Sequence, residues 1–204
     1  IEMGQYDSDG ATIWKHIYKY DSDGNLIEES SYTLGGSLES KNIYKYDSDG
    51  NPIEKSFYTK EGSLESKNIY KYDSDGNKIE YRQYNSDGNL VVKITYKYDS
   101  EGNEIEQRQY NSDGSSLNAK ITYKYDSEGN EIEISTSFFE AFFTGGVQNI
   151  KDIYKYDSDG NKIEESTYNL QFDDSLFRKV IFKYDSFGNE IEQQTAGYSD
   201  KYTD

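Results

Sequence analysis

The stretch Tyr44-Lys45-Tyr46-Asp47-Ser48-Asp49-Gly50-Asn51, followed by Ile53-Glu54, returns along the whole chain. Tyr18 to Asn25, Tyr70 to Asn77 and Tyr154 to Asn161 are identical copies. Tyr96 to Asn103 and Tyr123 to Asn130 change only one Asp to Glu, and Phe182 to Asn189 is the most divergent. The second tyrosine of each octet falls at Tyr20, Tyr46, Tyr72, Tyr98, Tyr125, Tyr156 and Tyr184, with spacings of 26, 26, 26, 27, 31 and 28. A fixed period in this range is the signature of a repeat array, in which one supersecondary unit is stacked on the next.

Each repeat divides in two. The octet leads to Ile-Glu, then to a tyrosine five residues past the Ile (Ile27/Tyr32, Ile53/Tyr58, Ile79/Tyr84, Ile105/Tyr110, Ile163/Tyr168), then to a second Gly turn and a leucine. Alternating β-branched and aromatic residues bounded by Asp, Ser, Gly and Asn read as strands. Asp-Gly supplies the positive φ of tight hairpin turns. No helical stripe with a cap is seen. The predicted fold is all-β: tandem two-strand repeats of ~26 residues forming one long antiparallel meander sheet of about 15 strands, curled or spiralling. Residues 1–204 read as a single array of about seven repeats, with irregular longer turns near 138–147 and 169–177.

Register follows from charge. A two-residue turn at Asp49-Gly50 would set Tyr46 opposite Ile53 and Lys45 opposite Glu54, with apolar pairs on one face and ion pairs on the other. The Lys/Glu pair is then expected seven times, from Lys19/Glu28 to Lys183/Glu192. Pairing Tyr58 with Leu64 implies a three-residue second loop with a glycine bulge. These registers put Ile53 and Tyr58 on opposite faces, so one β-bulge per repeat is expected in the Ile-to-Tyr strand, restoring a single Tyr/Ile/Leu face. With no helix to cover that face, the sheet must coil on itself, pack against another copy, or tolerate half-exposed tyrosines.

Composition narrows the function classes. Apolar residues are only 33%, which is too few for a thick core, while 16% aromatics argue against disorder. A net charge of −17 disfavours nucleic acid and anionic membranes as partners. No apolar run approaches the roughly 20 residues of a membrane span; the longest cluster, Phe138 to Phe143, is interrupted by Glu140. With no cysteine, thiol catalysis and disulfides are excluded. No signal peptide is recognised, and a start at Ile1 reads as that of a processed chain or a fragment.

Catalysis finds little support. His16 is the sole histidine, and Asn42, Asn68, Ile94 and Ile121 take its place in other repeats, so it reads as an ordinary strand residue. The repeat gives each carboxylate nearly the same neighbours, so no pair stands out as general acid and base. No catalytic residue and no cofactor is assigned. Asp21, Asp23, Asp47 and Asp49 offer a weak calcium alternative, but the distal glutamate of a calcium loop is missing, and the second Asp becomes Glu101, Glu128 and Phe187 elsewhere. Turn geometry is the simpler account of that motif. A partner site is placed at the enlarged turns, on Phe138, Phe139, Phe142, Phe143, Phe172 and Phe177, with a plug at one end of the sheet as the alternative use of the same phenylalanines. Tyr44, Tyr46, Tyr70, Tyr72, Tyr96 and Tyr98 form a ladder that would stack sugars, or simply pack rung on rung.

The pattern Tyr-x-Tyr-Asp-x-x-Gly-Asn-x-Ile, as in Tyr44 to Ile53, resembles the YD repeats of the RHS family of bacterial surface and toxin-delivery proteins. The resemblance implies a spiralling β-sheet and an exported, bacterial, cell-surface or extracellular setting. A weaker similarity is to choline- and glucan-binding cell-wall repeats, which also place aromatics before an Asp-Gly hairpin, as in Tyr110-Asn111-Ser112-Asp113-Gly114. Two functions are therefore expected: a non-enzymatic structural or adhesive protein, as a fibre or surface subunit whose partner is itself or a cell-surface glycan or protein; or a carbohydrate-binding module using the tyrosine face.

Overall fold

The structure, a computed structural model, describes residues 2–6, 9, 12–139, 149–170 and 175–197. Among these residues it contains fifteen strands and no helix: β1 (Glu2–Tyr6), β2 (Thr12–Tyr20), β3 (Leu26–Tyr32), β4 (Leu38–Tyr46), β5 (Pro52–Tyr58), β6 (Leu64–Tyr72), β7 (Lys78–Asn85), β8 (Leu90–Tyr98), β9 (Glu104–Tyr110), β10 (Leu117–Tyr125), β11 (Glu131–Phe138), β12 (Asn149–Tyr156), β13 (Lys162–Asn169), β14 (Ser175–Tyr184) and β15 (Glu190–Gly197). They follow one another in a single sheet in sequence order. The chain groups into two compact units, Ile1–Thr95 with Tyr110–Ser116 and Tyr96–Gln109 with Leu117–Asp204.

The octet turn is wider than the two-residue turn expected from Asp-Gly. Lys45 does lie opposite Glu54, but Tyr46 lies opposite Pro52 and not Ile53. Gly50 N–H donates to Asp47 O at 3.2 Å and Asp47 N–H to Asn51 O at 3.0 Å, leaving three residues in the loop. Gly50 takes φ 84°, the left-handed conformation that closes such a loop and that a Cβ disfavours. The reason lies in Asp47, whose carboxylate accepts from the backbone N–H groups of Asp49 at 3.0 Å and Asn51 at 2.8 Å. This side-chain closure favours the longer loop. The second turn matches its expected register, with Tyr58 opposite Leu64.

Bulges are twice as frequent as expected. Register shifts occur between Lys45 and Tyr46, which makes Ile53 the extra residue, and between Phe57 and Tyr58, which makes Glu65 the extra residue. Each of these two hairpins thus bends the strand that leaves its turn. The bulges also overturn the expected separation of apolar and ionic faces. Lys41, Ile43 and Lys45 lie opposite Tyr58, Ser56 and Glu54, so the ion pairs share a face with isoleucine and the rung tyrosine, while Tyr44 points to the other side.

Among the described residues there is accordingly no conventional core. Among the described residues, the buried apolar side chains are Ala119 at 7% exposure and Val180 at 0%. The other buried side chains are polar: Ser30, Ser56, Glu106, Ser166 and Asn169. Most described strand residues are half-buried, including most of the tyrosines, which is the tolerant option that phenolic side chains make workable.

Candidate functional site

One face carries a ladder of ion pairs. The seven expected Lys/Glu pairs all form: Lys19–Glu28 at 2.9 Å, Lys45–Glu54 at 3.0 Å and Lys71–Glu80 at 2.8 Å in the first unit, then Lys97–Glu106 at 2.9 Å, Lys124–Glu133 at 2.8 Å, Lys155–Glu164 at 3.0 Å and Lys183–Glu192 at 2.6 Å in the second. Three of the glutamates also hold a lysine from the following strand: Glu28 with Lys41 at 3.1 Å, Glu106 with Lys120 at 3.0 Å and Glu164 with Lys179 at 3.0 Å. Buried Ser56 and Ser166 donate to Glu54 and Glu164, each at 3.2 Å, from two residues along the same strand. The Glu-x-Ser spacing is the sequence signal that would have revealed this support. Glu106 is the most heavily bridged, with Arg108 at 3.0 Å as a third cation. Burial works to raise its pKa, but the hydrogen bonds of Lys97 and Lys120 and the charge of Arg108 prevail and bring it down to about 2.

The octet tyrosines are the second recurring feature. In five octets the second tyrosine donates its hydroxyl to a backbone carbonyl at the start of the preceding strand. These bonds are Tyr46 to Leu26 at 2.9 Å, Tyr72 to Pro52 at 3.0 Å, Tyr125 to Glu104 at 2.8 Å, Tyr156 to Glu131 at 2.9 Å and Tyr184 to Lys162 at 3.0 Å. Nothing in the sequence beyond the tyrosine itself announces this tether, because a backbone acceptor has no residue identity. The first tyrosines are tied to side chains. Tyr44 donates to Glu29 at 3.1 Å, and burial together with that carboxylate pushes its pKa up to about 12. The Tyr70 ring lies 5.5 Å from that of Tyr81, while Tyr96 and Tyr98 are likewise half-buried. Tyr156→Phe is expected to destabilise its unit by about 1 kcal/mol, since the Glu131 carbonyl loses its donor; urea unfolding measures it. Tyr20, 45% exposed, makes no such tether among the described residues.

The acidic turn residues act within their own loops. Asp21 accepts from the N–H groups of Asp23 at 3.0 Å and Asn25 at 2.8 Å, and from the Asn25 side chain at 3.1 Å. That side-chain bond and the backbone donors hold its pKa below the usual carboxylate range. Asp47 repeats the arrangement, while Asp23 and Asp49 are exposed at the loop tips. Among the described residues no group of three or more His, Cys, Asp or Glu is placed to hold a metal. Adding calcium or a chelator is expected to leave the melting temperature unchanged, and a calcium-dependent rise would restore the ligand reading of these turns.

Of the proposed partner site, Phe138, Phe139 and Phe177 are 41%, 55% and 45% exposed, while Phe142, Phe143 and Phe172 lie outside the described residues, as do most of the two enlarged turns. Asn149 anchors the strand end here by accepting from Phe138 N–H at 3.0 Å. His16 sits 3.2 Å from the Ser31 hydroxyl across the β2–β3 pair, an ordinary strand contact. Open grooves run between successive octet turns in the second unit. The larger, 830 Å³, is bordered by Asp157, Asp159, Tyr184, Asp185 and Phe187.

No family model matches the chain in sequence, and no curated protein does. Among solved structures, it is similar to the crystal structure of TcdB2-TccC3, at 14% identity over 97% of this chain and 14% of that chain, with a TM-score of 0.43. This chain therefore spans about 14% of the length of that one. It is also similar to a porin-like protein from Bacteroides uniformis, at 14% identity over 95% of this chain and 92% of that chain, with a TM-score of 0.41.

Proposed function

We propose that this chain is a non-enzymatic structural or adhesive repeat module of an exported bacterial protein, working at the cell surface and assembling through contacts between copies of itself. The observation that carries the reading is the recurrence of the same stitching at successive rungs: a Lys–Glu bridge on one face and a tyrosine tether at the octet rim. Side chains that would furnish a site are instead engaged in holding neighbouring strands together. The likeness of the octet to YD repeats supports an exported, bacterial setting.

The competing carbohydrate-binding reading draws on the same tyrosines. Hydroxyls bonded to backbone carbonyls and half-buried rings favour the structural role over sugar stacking. Light scattering across protein concentration, with negative-stain imaging, tests the proposal: particles that grow with concentration are expected. A stable monomer whose tyrosine fluorescence responds to components of a glycan array would replace it with the carbohydrate-binding reading.

A further inference from the structure

Tyr81 breaks the repeat at a position that the ladder and the tethers do not use. Directly opposite the first octet aromatic stand Glu29 for Tyr18, Lys55 for Tyr44, Ile134 for Tyr123, Glu165 for Tyr154 and Gln193 for Phe182. Between β6 and β7 the opposing residue is itself a tyrosine, Tyr81 facing Tyr70. First tyrosines of successive octets are kept apart by the repeat: Tyr44 in β4 and Tyr70 in β6 stand two strands from each other, about 10 Å by strand spacing. Tyr70 and Tyr81 are on adjacent strands and meet.

Their ring centroids are 5.5 Å apart with the planes at 38°, a tilted arrangement that brings the ring edges into contact. The pair is fixed from several directions. Next to it in the register, Lys71 lies opposite Glu80, and the two side chains are bridged at 2.8 Å. The Tyr81 hydroxyl donates to the Asn68 side-chain oxygen at 3.2 Å, which ties its ring to the strand that carries Tyr70. The turn joining the strands is closed by the Asp73 carboxylate, which accepts from the N–H groups of Asp75 at 3.0 Å and Asn77 at 2.9 Å. Both tyrosines are half-buried, so each ring keeps an edge open to small reagents while its position is held.

We infer that Tyr70 and Tyr81 are a site of oxidative cross-linking, joined as dityrosine by a one-electron oxidant of the haem-peroxidase class that uses hydrogen peroxide. Each phenol gives up one electron to the oxidant and its hydroxyl proton to solvent. The two radicals carry spin on the ring carbons beside the oxygen, and these carbons form one C–C bond. Each joined carbon then loses its hydrogen, and a proton returns to each oxygen as the rings become aromatic again. The protein ends two hydrogens short, and one peroxide is reduced to two waters. In a chain without cysteine this bond would be a covalent crossbar between β6 and β7, enclosing the Asp73 to Asn77 turn. It stands on the geometry of the pair and does not depend on the structural function proposed above.

Peptide mapping after oxidation tests the assignment. Trypsin cuts after lysine and arginine, so a linked protein should release Asn68–Lys71 joined to Ile79–Arg82. Asn42–Lys45 has the same sequence as Asn68–Lys71, and the full-length protein therefore carries Tyr44→Phe to tell them apart. It is treated with a haem peroxidase and hydrogen peroxide, and the monomer is recovered under denaturing conditions. The joined pair, two hydrogens lighter than its parts, is expected together with the blue emission of dityrosine. Adding Tyr81→Phe, which keeps the ring and its packing, should abolish the joined pair and most of the emission. Absence of the joined pair from the oxidised monomer overturns the site. Ile79–Arg82 joined to other tyrosine peptides as often as to Asn68–Lys71, or emission undiminished by Tyr81→Phe, would overturn it too.

Discussion

Replacing Glu106 with alanine is expected to lower the stability of its unit by about 3 kcal/mol, because three cations then share a half-buried site without their anion. The bridges to Lys97, Arg108 and Lys120, at 2.9, 3.0 and 3.0 Å, meet on a side chain only 12% exposed. Its pH dependence gives the same scale. The folded carboxyl titrates near 2 and the unfolded one near 4.5, so the stabilisation is fully present above about pH 4.5 and is lost as the pH falls towards 2. Over that window the linkage amounts to something on the order of 3 kcal/mol. Glu106→Gln should therefore flatten the acid limb of the stability curve as well as lower its plateau. Glu192→Ala, at the exposed end of the ladder, should leave the melting temperature unchanged. Hydrogen exchange at the amides of β9 and β10, followed from neutral to acid pH, checks the Glu106 variants, and a thermal melt checks Glu192→Ala. An acid limb in Glu106→Gln as steep as in the parent would show that the bridge does not set it.

The second large effect is expected at Val180. It is fully buried, whereas Val91 is 49% exposed. Val180 lies opposite Glu165 on one side and Thr195 on the other. Val180→Ala should cost about 2 kcal/mol from lost apolar burial and the cavity left behind. Val91→Ala should stay within about 0.5 kcal/mol. Urea unfolding followed by circular dichroism separates the two, and equal losses would mean that burial is shared evenly along the sheet.

Much of this was legible because the repeat states each local instruction several times. Strand type and order, the Lys45/Glu54 register and the Tyr58/Leu64 register follow from alternation and charge. The octet turn was misjudged because Asp-Gly suggests the shorter loop, while the Asp47 carboxylate, bonded to the N–H groups two and four residues ahead, holds the longer one. That one extra residue moved Ile53 out of alternation and with it the expected division between apolar and ionic faces. The tyrosine tethers were hidden for a different reason. A pattern of side chains shows which tyrosines recur, but a hydroxyl that ends on the carbonyl of Leu26 or Pro52 meets whatever residue happens to stand there.

The identical register of successive hairpins has a consequence for how such a chain changes over generations. Leu38 to Asn51 and Leu64 to Asn77 are the same fourteen residues, and their strands have equivalent partners on both sides. Excising residues 38–63 would join Ser37 to Leu64 and recreate a junction already present, with every bridge and turn intact. Recombination between such near-identical segments can lengthen or shorten the protein in whole hairpin pairs without a misfolded intermediate. Length is then the property most open to adjustment by selection, while the chemistry of each rung stays fixed.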